Sequence, residues 1–200
     1  MYLRKSIETY LKDLSAKKSA PGGGSAAGLT AALGASLACM VLQFSAKNNR
    51  TAALLKKAGF LRKKFACLTD DDITVYQKVS LAYKLPKSTE TQKARRRERI
   101  QRSLKSALSV CEELCELCYE GMMITKRLLR VGNEKLISDT GISLLLFEAA
   151  YQSSLYNVKI NLRGIKDINL RKKVRRNITA LSKKVSALKI EVVKRVDNVL

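Results

Sequence analysis

Pro21-Gly22-Gly23-Gly24-Ser25 opens a run without a charged residue that lasts to Ala46, in a chain of 200 residues with formal net charge +22. Such a run can be a membrane span, a phosphate-binding loop or a buried core helix, and each needs different flanks. It is long enough to cross a bilayer, but it is rich in Gly, Ala, Ser and Thr, and no second span accompanies it. Gly22 to Ala27 formally fits a dinucleotide fingerprint, yet that motif follows a strand, and here a helical pattern precedes it. The Gly-Lys-Ser/Thr ending of a phosphate loop is also missing. What remains is a glycine turn entering a buried helix, capped by Ser25 and reaching about Lys47, whose free N–H groups can hold a carboxylate or carbonyl oxygen. Gly28, Ala32, Ala35 and Cys39 form a small stripe on it, and Leu29, Leu33, Leu37, Met40 and Phe44 a bulky one. A helix apolar on all sides is expected to be buried on all sides.

The chain contains no histidine. Ser-His and Cys-His catalysis and His-ligated metal sites are therefore excluded, and proton transfer falls to Asp, Glu, Lys, Tyr or Cys. An excess of 39 basic over 17 acidic residues, densest at Lys93–Arg102 and Arg171–Arg176, favours anionic partners. A basic, non-catalytic helical nucleic-acid-binding protein is the alternative reading of that charge, although no aromatic-bearing recognition motif accompanies the clusters. The N-terminal segment is amphipathic and not a signal core, and five cysteines without such a signal fit reduced thiols in the cytoplasm.

Apolar spacing predicts helices throughout and no strand of any length. A first amphipathic helix carries Leu3, Ile7, Tyr10, Leu11 and Leu14. A third stretch runs from about Thr51 to Leu85, with a break expected near Asp70-Asp71-Asp72. The fourth runs from Thr91 to about Val131 and stops at Gly132-Asn133. Another spans about Lys135 to Tyr156, followed by a bent connection from Asn157 to Ile165, and the last runs from Asp167 to Leu200. The expectation is an all-α, single-domain bundle of six or seven helices over residues 1–200, some of them long, with a buried small-residue helix after the Gly-rich turn.

Cys111-x3-Cys115-x2-Cys118 has the spacing of an iron–sulfur loop, but Glu112, Glu113, Leu114 and Glu116 place it inside a helix. At i, i+4 and i+7 the three thiols share one apolar face, so core packing is the reading and no metal site is expected. Asp70-Asp71-Asp72 is an acidic cluster in a basic chain, readable as a cap or as a functional group; Asp139 is readable as another cap. Asn157 and Asn161, one turn apart, can turn two amides to one site.

Together these blocks resemble the cyclodeaminase/cyclohydrolase family that acts on one-carbon tetrahydrofolates. They are Pro21-Gly22-Gly23-Gly24-Ser25 with its small-residue helix, and Asp72-x3-Tyr76 followed by Leu85-Pro86-Lys87. The third is Gly132-Asn133 through Ser138-Asp139 to Asn157-Val158-x2-Asn161-Leu162. The order and spacing agree over essentially the whole chain. The resemblance implies an all-helical homodimer with no tightly bound cofactor, no membrane association and a tetrahydrofolate derivative, including polyglutamylated forms, as substrate. It implies hydrolysis of 5,10-methenyltetrahydrofolate to 10-formyltetrahydrofolate, or cyclising deamination of 5-formiminotetrahydrofolate with release of ammonia. No formimidoyltransferase domain accompanies these residues, which tilts the expectation toward hydrolysis. On the matching positions, Asp72 and Asp139 are expected as catalytic carboxylates. Gly22, Gly23, Gly24, Ser25, Tyr76, Lys87, Asn157 and Asn161 are expected to bind substrate, with Lys87 near the glutamate tail and the asparagines also able to orient Asp139.

Overall fold

The computed structural model describes residues 1–200. A short 3-10 turn, Tyr2–Arg4, leads into six helices: α1 (Ile7–Ser15), α2 (Gly23–Gln43), α3 (Asn49–Tyr83), α4 (Glu90–Val131), α5 (Ile137–Gly164) and α6 (Ile168–Asp197). The sequence explains most of the starts. Ser6, Asn48, Thr89 and Asp167 each accept a first-turn backbone N–H through the side chain, and Asn48 and Thr89 form capping boxes with Thr51 and Gln92. At the far end of α2, Ser45 Oγ accepts the Asn133 N–H at 3.0 Å, and the Asn133 amide donates to the Phe44 carbonyl at 3.0 Å. Gly132-Asn133 therefore ends α4 and closes the open carbonyl end of α2 as well.

α2 packs along α3 on one side and α5 on the other; α4 lies against α3 and α5, and α6 covers α4 and α5. α2 and α5 run antiparallel: mid-helix Gly34 abuts Ser143 and Phe147, and the residues flanking its C-terminus meet Asn133. Gly28, Ala32, Ala35 and Cys39 are all buried, and Gly28 brings the α2 backbone against that of Thr69. A Cβ there would lie 3.0 Å from the Thr69 nitrogen, so only glycine permits the approach. The core continues through Phe65, Phe147 and Tyr151, and Cys111, Cys115 and Cys118 lie within it, as their shared face predicts.

Several boundaries differ from the sequence expectation. α3 runs unbroken through Asp70-Asp71-Asp72, so none of the three caps a helix. Asp70 instead accepts the Tyr2 backbone N–H at 2.7 Å, and Asp72 lies against the start of α2. α5 continues through Asn157 to Gly164 without a bend, held by the buried faces of Val158 and Leu162. The cap of α2 is Gly22 and that of α5 is Leu136, so neither Ser25 nor Asp139 caps its helix. α2, the one helix long and apolar enough to cross a membrane, is largely packed inside the bundle. Its bulky stripe is not: Leu33 is 52% exposed and Phe44 66%, because α3 and α5 flank α2 and leave its outer face uncovered.

Candidate active site

A cleft of about 590 Å³ opens where the N-terminus of α2 meets the middle of α3 and the C-terminal end of α5. That volume lies in the range of sites for drug-sized ligands. Three helical stripes build its walls. Asp72, Val75, Tyr76, Val79 and Tyr83 come from α3, Leu104 and Ala107 from α4, and Asn157, Ile160, Asn161 and Gly164 from α5. Each set follows the i, i+3, i+4 spacing of one helix face. The glycine turn, Gly22-Gly23-Gly24, closes the remaining side, and Arg163 is the one cation in the lining.

Asp72 is the chemical centre of this cleft. Its carboxylate occupies the space that a side chain at Gly24 would need, so Gly24 exists to admit it. α2 has no side-chain cap of its own. The Asp72 carboxylate from α3 takes that part, sitting by the Ser25 backbone N–H at the positive end of the helix dipole. Burial pushes the Asp72 carboxyl up from the ordinary carboxylate value, and the Ser25 N–H pulls it partly back. Desolvation is the larger effect, so this group holds a proton more readily than a surface aspartate.

A polar shell surrounds it. Tyr10 Oη lies 3.2 Å from Ser25 Oγ, and its phenol is raised first by burial, with the Asp72 charge adding to it. The Asn161 amide reaches Cys111 Sγ at 3.7 Å. Cys111 is pushed up to about 12, by burial first and the Asp72 charge second, so it is a neutral thiol and no nucleophile. Asn157 and Asn161 donate through Nδ2 to backbone carbonyls one turn back, Ser153 at 3.2 Å and Asn157 at 2.9 Å. Their amide oxygens are left as acceptors for a ligand.

The structure thus brings Gly22, Gly23, Gly24, Asp72, Tyr76, Asn157 and Asn161 to one cleft. Ser25 stands behind it, buried, and acts through its N–H and its contact with Tyr10. Lys87 lies exposed in the α3–α4 connection, outside the lining. Asp139 sits on the first turn of α5. Eighteen residues separate it from Asn157, about 27 Å at 1.5 Å per residue, so within one chain the asparagines do not orient it. Tyr83, Ile160 and Arg163 are lining residues that the sequence reading passed over. Tyr83 is eleven residues after Asp72, three helical turns along one stripe, and that spacing was the available signal. Ile160 and Arg163 needed α5 to be unbroken.

The sequence pattern of the formiminotransferase-cyclodeaminase family matches residues 6–180. The chain belongs to that family. It is 33% identical over 169 residues to a methenyltetrahydrofolate cyclohydrolase of Methylorubrum extorquens, covering 81% of each chain. It is 30% identical over 183 residues to the formimidoyltransferase-cyclodeaminase of Rattus norvegicus, covering 88% of this chain and 34% of that one. The fold matches the crystal structure of formiminotetrahydrofolate cyclodeaminase from Thermotoga maritima with a TM-score of 0.89 and 25% identity, over 100% of this chain and 99% of the other.

Proposed function

We propose that this family member is a folate one-carbon enzyme that works at the carbon bridging N5 and N10, with hydrolysis of 5,10-methenyltetrahydrofolate as its reaction. One observation carries the reading: a desolvated carboxylate, Asp72, fixed at a glycine-entered helix terminus inside a cleft of ligand size. The 33% identity to a cyclohydrolase over 81% of both chains supports hydrolysis as the first choice.

The bridged substrate is a cation. Bound beside Asp72 it favours the ionised carboxylate, offsetting the desolvation that raises it. Water adds its oxygen to the bridging carbon while Asp72 takes one water proton. The same proton passes to N5 as the carbon–N5 bond breaks. The second water proton leaves when the hydroxyl becomes the formyl C=O. The Gly23 and Gly24 N–H groups have no intrahelical acceptor and lie at the positive end of α2, where they stabilise the oxygen as it gains charge. The amide oxygens of Asn157 and Asn161 accept from the N–H donors of the pterin. Arg163, the cation of the lining, takes the anionic glutamate tail, polyglutamylated or not. No cofactor beyond the folate enters this scheme.

Cyclising deamination is the second reading, favoured by the fit to the Thermotoga maritima cyclodeaminase. There N10 attacks the carbon of the protonated formimino group, whose nitrogen becomes an amine; Asp72 takes the N10 proton and returns it to that amine, and ammonia leaves as the methenyl cation forms. The apolar exposure of Leu33 and Phe44 on α2 supports a homodimer, and the five free thiols fit a cytoplasmic setting. The purified protein, given 5,10-methenyl- or 5-formiminotetrahydrofolate, is expected to change methenyl absorbance faster than buffer in at least one assay. No rate above buffer in either overturns the proposal.

A further inference from the structure

A ladder of ion pairs joins α3 to α4, and its last rung is wrong. On α3 the cations recur every seven residues, at Arg50, Lys57 and Lys64. Two of them meet a glutamate on α4: Lys64 pairs with Glu113 at 2.8 Å and Lys57 with Glu120 at 3.1 Å. The same seven-residue step on α4 leads to position 127, which is an arginine. Arg50 and Arg127 line one groove of about 480 Å³, together with Arg130 one turn further along α4. We propose that this groove binds a phosphate monoester with an aliphatic body, its phosphate standing among Arg50, Arg127 and Arg130 where the ladder lacks a carboxylate.

Charge selects the head group. Arg50, Arg127 and Arg130 are exposed and enter no ion pair, whereas Lys57, also in the lining, is neutralised by Glu120. Glu191, the carboxylate that feels Arg130, is already held by Lys126 at 2.7 Å and Arg195 at 3.9 Å. Arg130 suits the carbonyl end of α4, on whose last turn it lies. Arg50 has no such partner: it stands on the first turn of α3, the positive end of that helix dipole, where a cation is unfavourable. A dianion among three guanidinium groups relieves both conflicts, and the guanidinium fork matches the paired oxygens of a phosphate. Breaks in a local rule of this kind collect at functional sites.

The floor selects the body. Leu54 is buried, and Ala53 and Val131 are the other apolar lining residues. Beyond these three the lining holds only the four cations, so no side chain accepts from the N–H groups of a nucleobase and no ring stacks on one. An aliphatic body has no polar edge to leave unpaired. The groove is also remote from the catalytic cleft. Leu54 precedes Asp72 by eighteen residues of unbroken helix, about 27 Å.

Isothermal titration at fixed ionic strength tests this, because general attraction to a chain of net charge +22 is then held constant. Hexyl phosphate is expected to saturate one site per chain, about tenfold tighter than inorganic phosphate through burial of a few methylenes, and tighter than AMP. Arg127→Glu supplies the missing rung from the protein itself. It should weaken hexyl phosphate by about tenfold or more and raise the thermal midpoint of the free protein. Hexyl phosphate should raise the midpoint of the wild type and not that of the variant. Arg50→Gln/Arg127→Gln removes the same two cations without adding a charge, and the same loss of binding is expected. No saturable binding to the wild type, or equal affinity in the wild type and either variant, overturns the site. Inorganic phosphate or AMP binding as tightly as hexyl phosphate overturns the aliphatic body.

Discussion

Two regions of α2 use glycine for opposite purposes. At the entry, a Cβ on Gly22 or Gly23 would meet nothing within 4 Å, and both residues line the cleft. In the body of the helix, a Cβ on Gly28 would lie 3.0 Å from the Thr69 nitrogen, and one on Gly34 would lie 3.1 Å from the Ser143 carbonyl oxygen. Gly24 stands at the boundary, packed against a side chain that is itself part of the cleft. The space kept open at the entry belongs to a ligand, and the space closed in the body belongs to neighbouring helices. Substitutions should therefore separate into losses of chemistry and losses of stability.

The largest effect is expected at the boundary. Asp72→Asn should reduce kcat by about 10²- to 10⁴-fold, the range for removing a proton-transfer group, with the helical circular dichroism unchanged. Its stability should move the other way. The native carboxyl holds its proton above the ordinary value of 3.8, so the native state binds more protons in that window and wild-type stability falls as pH rises through it. Urea unfolding should find Asp72→Asn more stable than wild type at neutral pH and level with it below 3.8. For the same reason the acid limb of kcat/KM should lie above 3.8 in the wild type, and a limb at or below that value would break the assignment of Asp72 as the base.

Next in size, Gly28→Ala should cost about 1–3 kcal/mol in urea unfolding, because the obstructing atoms are backbone and cannot swing away. The KM of the protein that remains folded should be unchanged. Gly23→Val is the contrasting case. It should leave the unfolding midpoint within about 1 kcal/mol of wild type, as no protein atom stands in the way, and yet abolish turnover. Wild-type kinetics for this variant would reduce the entry glycines to a packing device and erase the distinction between the two regions. The smallest effect is assigned to the rim: Arg163→Ala should raise KM about two- to tenfold, more at low salt than at high, with little change in kcat.

The helices were legible where one face decides them. The i, i+4, i+7 cysteines of α4 and the small stripe of α2 are buried as their spacing predicts. The misread places are those where a distant residue satisfies a local signal. Three consecutive aspartates look like a helix start, but Asp70 and Asp72 find donors on Tyr2 and Ser25, far away in sequence, and α3 has no reason to break. Asn157, Asn161 and Gly164 are weak helix formers, but Val158 and Leu162 between them are buried and carry α5 onward. The cleft was half legible for the same reason. Asp72, the glycine turn and the asparagines stand out as residue types, and Tyr83 shares a stripe with Asp72, whereas Ile160 and Arg163 become visible only once α5 is known to run unbroken. Asp139 was marked by its position in the pattern, and only the length of α5 reveals how far it stands from the site in its own chain.

The five thiols give the bundle a built-in clock. Cys67 is exposed, while Cys39 on α2 and Cys111, Cys115 and Cys118 on α4 are buried. A thiol reagent should titrate one equivalent at once and the other four only as α2 and α4 open, at rates set by local unfolding. Cys111 lies directly beneath Asn161. Its labelling rate should therefore fall when the cleft fills, reporting occupancy even for a ligand that is never turned over.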